Sequence, residues 1–175
     1  MTSSENLKIT LNSTQSEIDK LIESRKHNPD STEYANNLSI CYVKLAKIQK
    51  ALNDNSGELE SYNNVLKIRE EMLNLNPDDI ENACSLSASY QHVQEIYENL
   101  SDHNSANKFL EKLLKLGEDL WQRHPDSNLA TMNLVIIYYK MNNNEKLIEI
   151  LSHMKRKNMK MDTPIMMLCN LLGVK

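Results

Sequence analysis

The chain has 175 residues, 40% of them hydrophobic and only 5% aromatic, with 20 basic side chains against 24 acidic ones for a net charge of −4. That balance argues against a nucleic-acid binder, which concentrates basic residues on one face. Three glycines and four prolines suit an all-helical protein packed with Leu, Ile and Met.

In chain order, residues 1–13 are polar and are expected to form a flexible N-terminus. Thr14 followed by Glu17 has the spacing of a capping box, opening a helix to about Lys26 with Ile18, Leu21 and Ile22 as a narrow apolar stripe. Asn28-Pro29-Asp30 then marks a turn that recurs as Asn76-Pro77-Asp78 and as His124-Pro125-Asp126, each step being 48 residues. A fixed period of that size signals stacked helical hairpins. After each turn the same side chains return: Ala35, Leu38 and Tyr42, then Ala83, Leu86 and Tyr90, then Thr131, Leu134 and Tyr138. Spacings of i, i+3, i+7 place them on one helical face, which must be buried against a neighbour.

The hairpins are expected over about 30–75, 78–123 and 126–158. Asp30 with Glu33, and Asp78 with Glu81, have capping-box spacing for the first helix of a hairpin. Asn53 to Gly57, Ser101 to Asn104 and Asn142 to Asn144 supply the turns within hairpins. Gly117, inside a return helix, costs up to about 1 kcal/mol relative to Ala, which fits a close approach by a neighbour or plain tolerance. Lys155-Arg156-Lys157 reads as a solvated, dipole-compatible helix end. Thr163-Pro164 reads as N-cap and first turn of a last, Met-rich helix over 163–172.

With the Leu, small residue and Tyr pattern closing on Asn-Pro-Asp, residues 14–175 resemble a single domain of the tetratricopeptide repeat family. The third copy has that family's usual length of roughly 34 residues; the two longer copies are similar to a long-helix variant common in bacterial proteins. The resemblance implies an α-α superhelix (solenoid) whose first helices line a groove for a partner helix or peptide. On this chain the groove positions are Glu33, Asn36, Ile40 and Val43, then Glu81, Cys84, Ala88 and Gln91, then Leu129, Met132, Ile136 and Tyr139. Ile40, Ala88 and Ile136 stand where family members that hold acidic chaperone tails carry Lys and Asn, so that clamp is not expected. Leu129, Met132, Ile136 and Tyr139 form a second apolar stripe opposite Leu134 and Tyr138, surplus to holding the array together. The last helix either folds back over this groove or joins a second copy as a homodimer.

Chemistry is not expected. His27, His92, His103, His124 and His153 show no zinc spacing, no carboxylate pair sits in an apolar setting, and no cofactor motif occurs. Cys41, Cys84 and Cys169, odd in number and far apart, read as reduced thiols of a cytoplasmic protein. No secretory leader or membrane-inserting segment is visible. His124-Pro125-Asp126 matches the tripeptide of J-domain co-chaperones, but its register with the sister turns makes it a repeat turn. The expected function is a non-enzymatic protein-interaction module. The alternatives are a peptide-sensing regulator, a bacterial effector acting in a host cell, or a J-like co-chaperone.

Overall fold

A computed structural model describes residues 3–29 and 31–174. Among them are eight helices and no strand: α1 (Ser3–His27), α2 (Thr32–Ala51), α3 (Asn55–Leu75), α4 (Ile80–Asn99), α5 (His103–Arg123), α6 (Asn128–Lys140), α7 (Asn144–Arg156) and α8 (Thr163–Leu171). The helices gather into two compact units, residues 1–110 and residues 111–175, the division falling inside α5.

Two kinds of turn alternate along the chain, each with one mechanism. Within hairpins the helix ends on a residue in the left-handed region: Asn53 (φ 59°), Ser101 (φ 60°) and Asn142 (φ 51°). The next amide reaches back to the carbonyl five residues earlier, Asp54 N to Gln49 O, Asp102 N to Tyr97 O and Asn143 N to Tyr138 O. These are Schellman closures, which satisfy carbonyls the helix end would orphan. The residue donating that amide then caps the returning helix, since Asp54, Asp102 and Asn143 accept from the amides of Gly57, Ser105 and Lys146. One residue thus stops a helix with its backbone and starts the next with its side chain.

Between hairpins the turn is closed by an i to i+3 bond, Ser31 N to Asn28 O, Asp79 N to Asn76 O and Ser127 N to His124 O, each 3.0–3.1 Å. The residue that closes the turn is the N-cap: Ser31, Asp79 and Ser127 accept from the amides of Tyr34, Asn82 and Ala130. This corrects the expected capping box at Asp78 and Glu81 by one position. In Asn-Pro-Asp the proline holds the second position of the turn and aspartate the third, so the helix can open only at the fourth. The matching expectation at Asp30 lies outside the described residues. The last helix is corrected likewise: Asp162, not Thr163, accepts from the Ile165 amide, with Pro164 in the first turn.

The opening also differs from expectation. No helix starts at Thr14; α1 runs continuously from Ser3, and Thr14 is fully buried in its middle. Glu17 is exposed and lies 3.8 Å from Lys44 Nζ of α2, so it serves no cap. Ile18 joins Ala35, Leu38, Cys41, Leu45 and Ile68 in one cluster, with Leu21, Tyr42 and Met72 packed against it.

The repeated stripe is buried as its period demands. Ala35, Leu38, Ala83, Leu86, Tyr90, Thr131, Leu134 and Tyr138 are all in the interior, and Tyr42 alone is half-exposed. The phenol of Tyr90 donates to Glu70 at 2.5 Å and that of Tyr138 to Glu118 at 2.7 Å. Both bonds tie a return helix to the first helix of the following hairpin, at the same repeat position.

Candidate protein-binding surface

Burial of one face of each first helix leaves the opposite face in solvent. On α2, Glu33, Asn36 and Ile40 are exposed and Val43 half-buried. On α4, Glu81 and Ala88 are exposed, with Cys84 and Gln91 half-buried; on α6, Leu129, Ile136 and Tyr139 are exposed and Met132 half-buried. None of these residues belongs to the interior, so each helix carries its stripe inward and its groove residues outward.

The two units use that face differently. In the first, Glu33 and Asn36 of α2 and Glu81 of α4 meet around a polar hollow of about 450 Å³, with Asn82 and Ser85 beside them. Two of the lining residues bond to Arg69 of α3, whose half-buried guanidinium donates to Ser85 O at 2.5 Å and also to Ser89 Oγ at 2.6 Å. Asn82 Nδ2 returns a bond to Arg69 O. Burial pulls the Arg69 pKa down, yet guanidinium stays protonated in proteins. Ile40, Val43, Cys84, Ala88 and Gln91 do not line this hollow.

In the second unit an open apolar hollow of about 560 Å³ lies between α6 and α8. Ile136 and Tyr139 form one wall; Pro164, Met167, Leu168 and Leu171 form the other, and Lys140 is the one charged lining residue. The expected stripe residues Leu129 and Met132 are not part of it. α8 therefore does not fold over the stripe: it stands beside it as a second wall. The sequence reading expects this uncharged helix over the groove or at a second copy; it does not place it as a wall beside Ile136 and Tyr139.

The His-Pro-Asp turn is occupied by packing. His153 of α7 bonds Pro125 O through Nε2 at 2.9 Å and sets its ring edge-on to Trp121. Lys157 Nζ sits 2.8 Å from Asp126 Oδ1 and holds that carboxyl below its usual range.

The thiols of the first helices, Cys84 on the groove face and Cys41 in the interior, are both held protonated. Burial pushes the Cys84 thiol up to about 11, and burial reinforced by Glu17 raises that of Cys41, which leaves both as protonated, weak nucleophiles at neutral pH. Among the described residues no cluster of three or more His, Cys, Asp or Glu could hold a metal ion. No helix among them is long and apolar enough to cross a membrane.

No protein-family model and no curated protein matches the chain. Among solved structures, BtubC (BKLC) from P. vanneervenii superposes with a TM-score of 0.62 at 19% identity, over 99% of this chain and 66% of that one. TTC0263, a thermophilic TPR protein of Thermus thermophilus, superposes at 0.50 and 16% identity, over 86% of this chain and 72% of that one. The fold is that of a tetratricopeptide repeat protein. At such identities the likeness carries the fold alone, and the chain spans just under two thirds of BtubC. Within the TPR fold, α2, α4 and α6 are the first helices of successive hairpins and α3, α5 and α7 their returns, as the alternation of the two turn types requires.

Proposed function

We propose that this chain is a non-enzymatic protein-interaction module of the TPR type, working in a reducing compartment such as the cytoplasm. It binds a partner helix or peptide on the exposed faces of its first helices, and residues 14–175 read as one repeat array. The observation that carries the proposal is the hollow between α6 and α8. Ile136 and Tyr139 add nothing to the interior, yet they face a second apolar wall across a cleft open to solvent. Apolar clefts of that kind on soluble proteins mark interaction sites. Cys41, Cys84 and Cys169, none of them in a disulfide, support the compartment.

The test is affinity capture from native lysate with mass spectrometry, wild type against Ile136→Glu. A specific protein retained by the wild type and lost by the variant, with an unchanged melting temperature, is the expected result. Unfolding of the variant would move Ile136 into the core and remove the basis of the proposal.

A further inference from the structure

We propose that the α6–α8 hollow is filled by α8 of a second copy of this chain, giving a two-fold dimer through the C-terminal helix. The proposal rests on reading that hollow as a protein-binding site and names its occupant.

Charge argues for the second copy. From Thr163 to Leu171, α8 has no charged side chain, and α6 has Lys140 alone; every other helix carries several charged side chains. A partner selected by charge finds almost nothing here to read. An uncharged apolar surface is best met by another, and within this chain α8 is the helix that presents one. A two-fold arrangement satisfies both needs at once, because an isologous interface places each copy's ridge in the other's cleft.

Area argues the same way. Ile136, Tyr139, Met167 and Leu171 are 46%, 60%, 66% and 81% exposed. At on the order of 100 Å² each they offer on the order of 400 Å² of apolar surface per copy, about half of the ~800 Å² per partner of a standard interface whose rim is polar. The ridge is also fixed before association. Ile165, Cys169 and Val174 are buried on the inner side of the C-terminal segment, Asp162 caps its start, and Lys155 Nζ bonds Val174 O at 2.8 Å. Ordering α8 therefore costs the dimer little.

Sedimentation equilibrium on the purified full chain over about 1–100 µM tests it. Wild type should show a reversible monomer–dimer equilibrium within that range. Leu171→Glu and, separately, Met167→Glu should weaken it by about 100-fold or more, because a two-fold axis counts each substitution twice. Both residues are exposed, so circular dichroism melts at low concentration should be unchanged. A wild type that stays monomeric, or two folded variants that dimerise as well as wild type, overturns the proposal. If wild type is monomeric while Ile136→Glu still loses a captured protein, the binding site stands and its occupant is a different chain. If neither effect appears, the binding site itself is wrong.

Discussion

At position 117 the chain gives up a side chain that it uses 48 residues earlier. Arg69 on α3 reaches across to Ser89 on α4; the equivalent positions on α5 and α6 are Gly117 and Ile137. A Cβ built on Gly117 would overlap Ile137 Cδ1. A large residue facing a small one in one interface is thus reversed in the next, which explains why a glycine persists mid-helix. Gly117→Ala should be net destabilising, since overpacking a full site costs about 1–3 kcal/mol against at most about 1 kcal/mol of helix propensity gained. Ile137→Val removes the clashing methyl and alone costs about 0.5–1.5 kcal/mol. In denaturant melts the double variant should recover at least about 1 kcal/mol over the sum of the singles; strict additivity would mean the two sites do not touch. Thr14 offers a gain of the opposite kind. Its Oγ1 is buried with no hydrogen-bond partner, and such a group carries a desolvation penalty of about 1–3 kcal/mol. Thr14→Val keeps the shape and should raise stability by about 1 kcal/mol. A loss would mean that the hydroxyl is bonded.

Helix by helix, the repeats differ most in how they stop. The left-handed position is Asn at 53, 142 and 158 but Ser at 101. Asparagine tolerates positive φ through local side-chain bonding, and serine does so less well. Ser101→Gly should therefore stabilise by about 0.5–1 kcal/mol, and Asn53→Gly by less. A midpoint for Ser101→Gly no higher than wild type would show the Schellman turn to be unstrained. These turns also show what could be read from sequence alone. The stripe residues and the exposure of the opposite face were legible, because a helical period together with a 48-residue repeat over-determines which side faces in. The cap was misplaced because Asp78 and Asp79 can both cap, and the bond closing the Asn-Pro-Asp turn decides between them. The start of α1 was missed because residues 3–13 are mostly polar: Leu7 and Leu11 do continue the face of Thr14 and Ile18, and Leu11 packs against the Ile18 cluster, but two apolar side chains among so many polar ones make a weak signal. The second wall of the apolar hollow was illegible because α8 has no sister copy, and where it lies depends on packing after residue 157.

Over the whole molecule, proton binding gives a test that reaches both units. Burial, helped by the Glu58 charge, lifts the Tyr62 phenol to about 12, and burial lifts the Cys84 thiol to about 11. Tyr90 and Tyr138 are raised by burial and by the carboxylates of Glu70 and Glu118 that they bond. Three of these groups lie in residues 1–110 and Tyr138 in residues 111–175. In the unfolded chain the thiol loses its proton near 8.5 and a phenol near 10. Above those values the unfolded state binds fewer protons than the folded one, so stability must fall as pH rises. The contribution is complete below about pH 8.5 and is lost as pH climbs through the raised values, at about 1.4 kcal/mol per group per pH unit. Melting temperatures should therefore begin to fall near pH 9 and drop more steeply above pH 10, where the phenols join the thiol. Cys84→Ala should make the onset shallower, the raised Cys41 thiol remaining, and Tyr62→Phe should flatten the fall between pH 10 and 12, each relative to its own value at pH 8. Circular dichroism melts at unit intervals of pH decide it: if wild type and both variants lose stability with the same slope, the Cys84 thiol and the Tyr62 phenol do not set the alkaline limit.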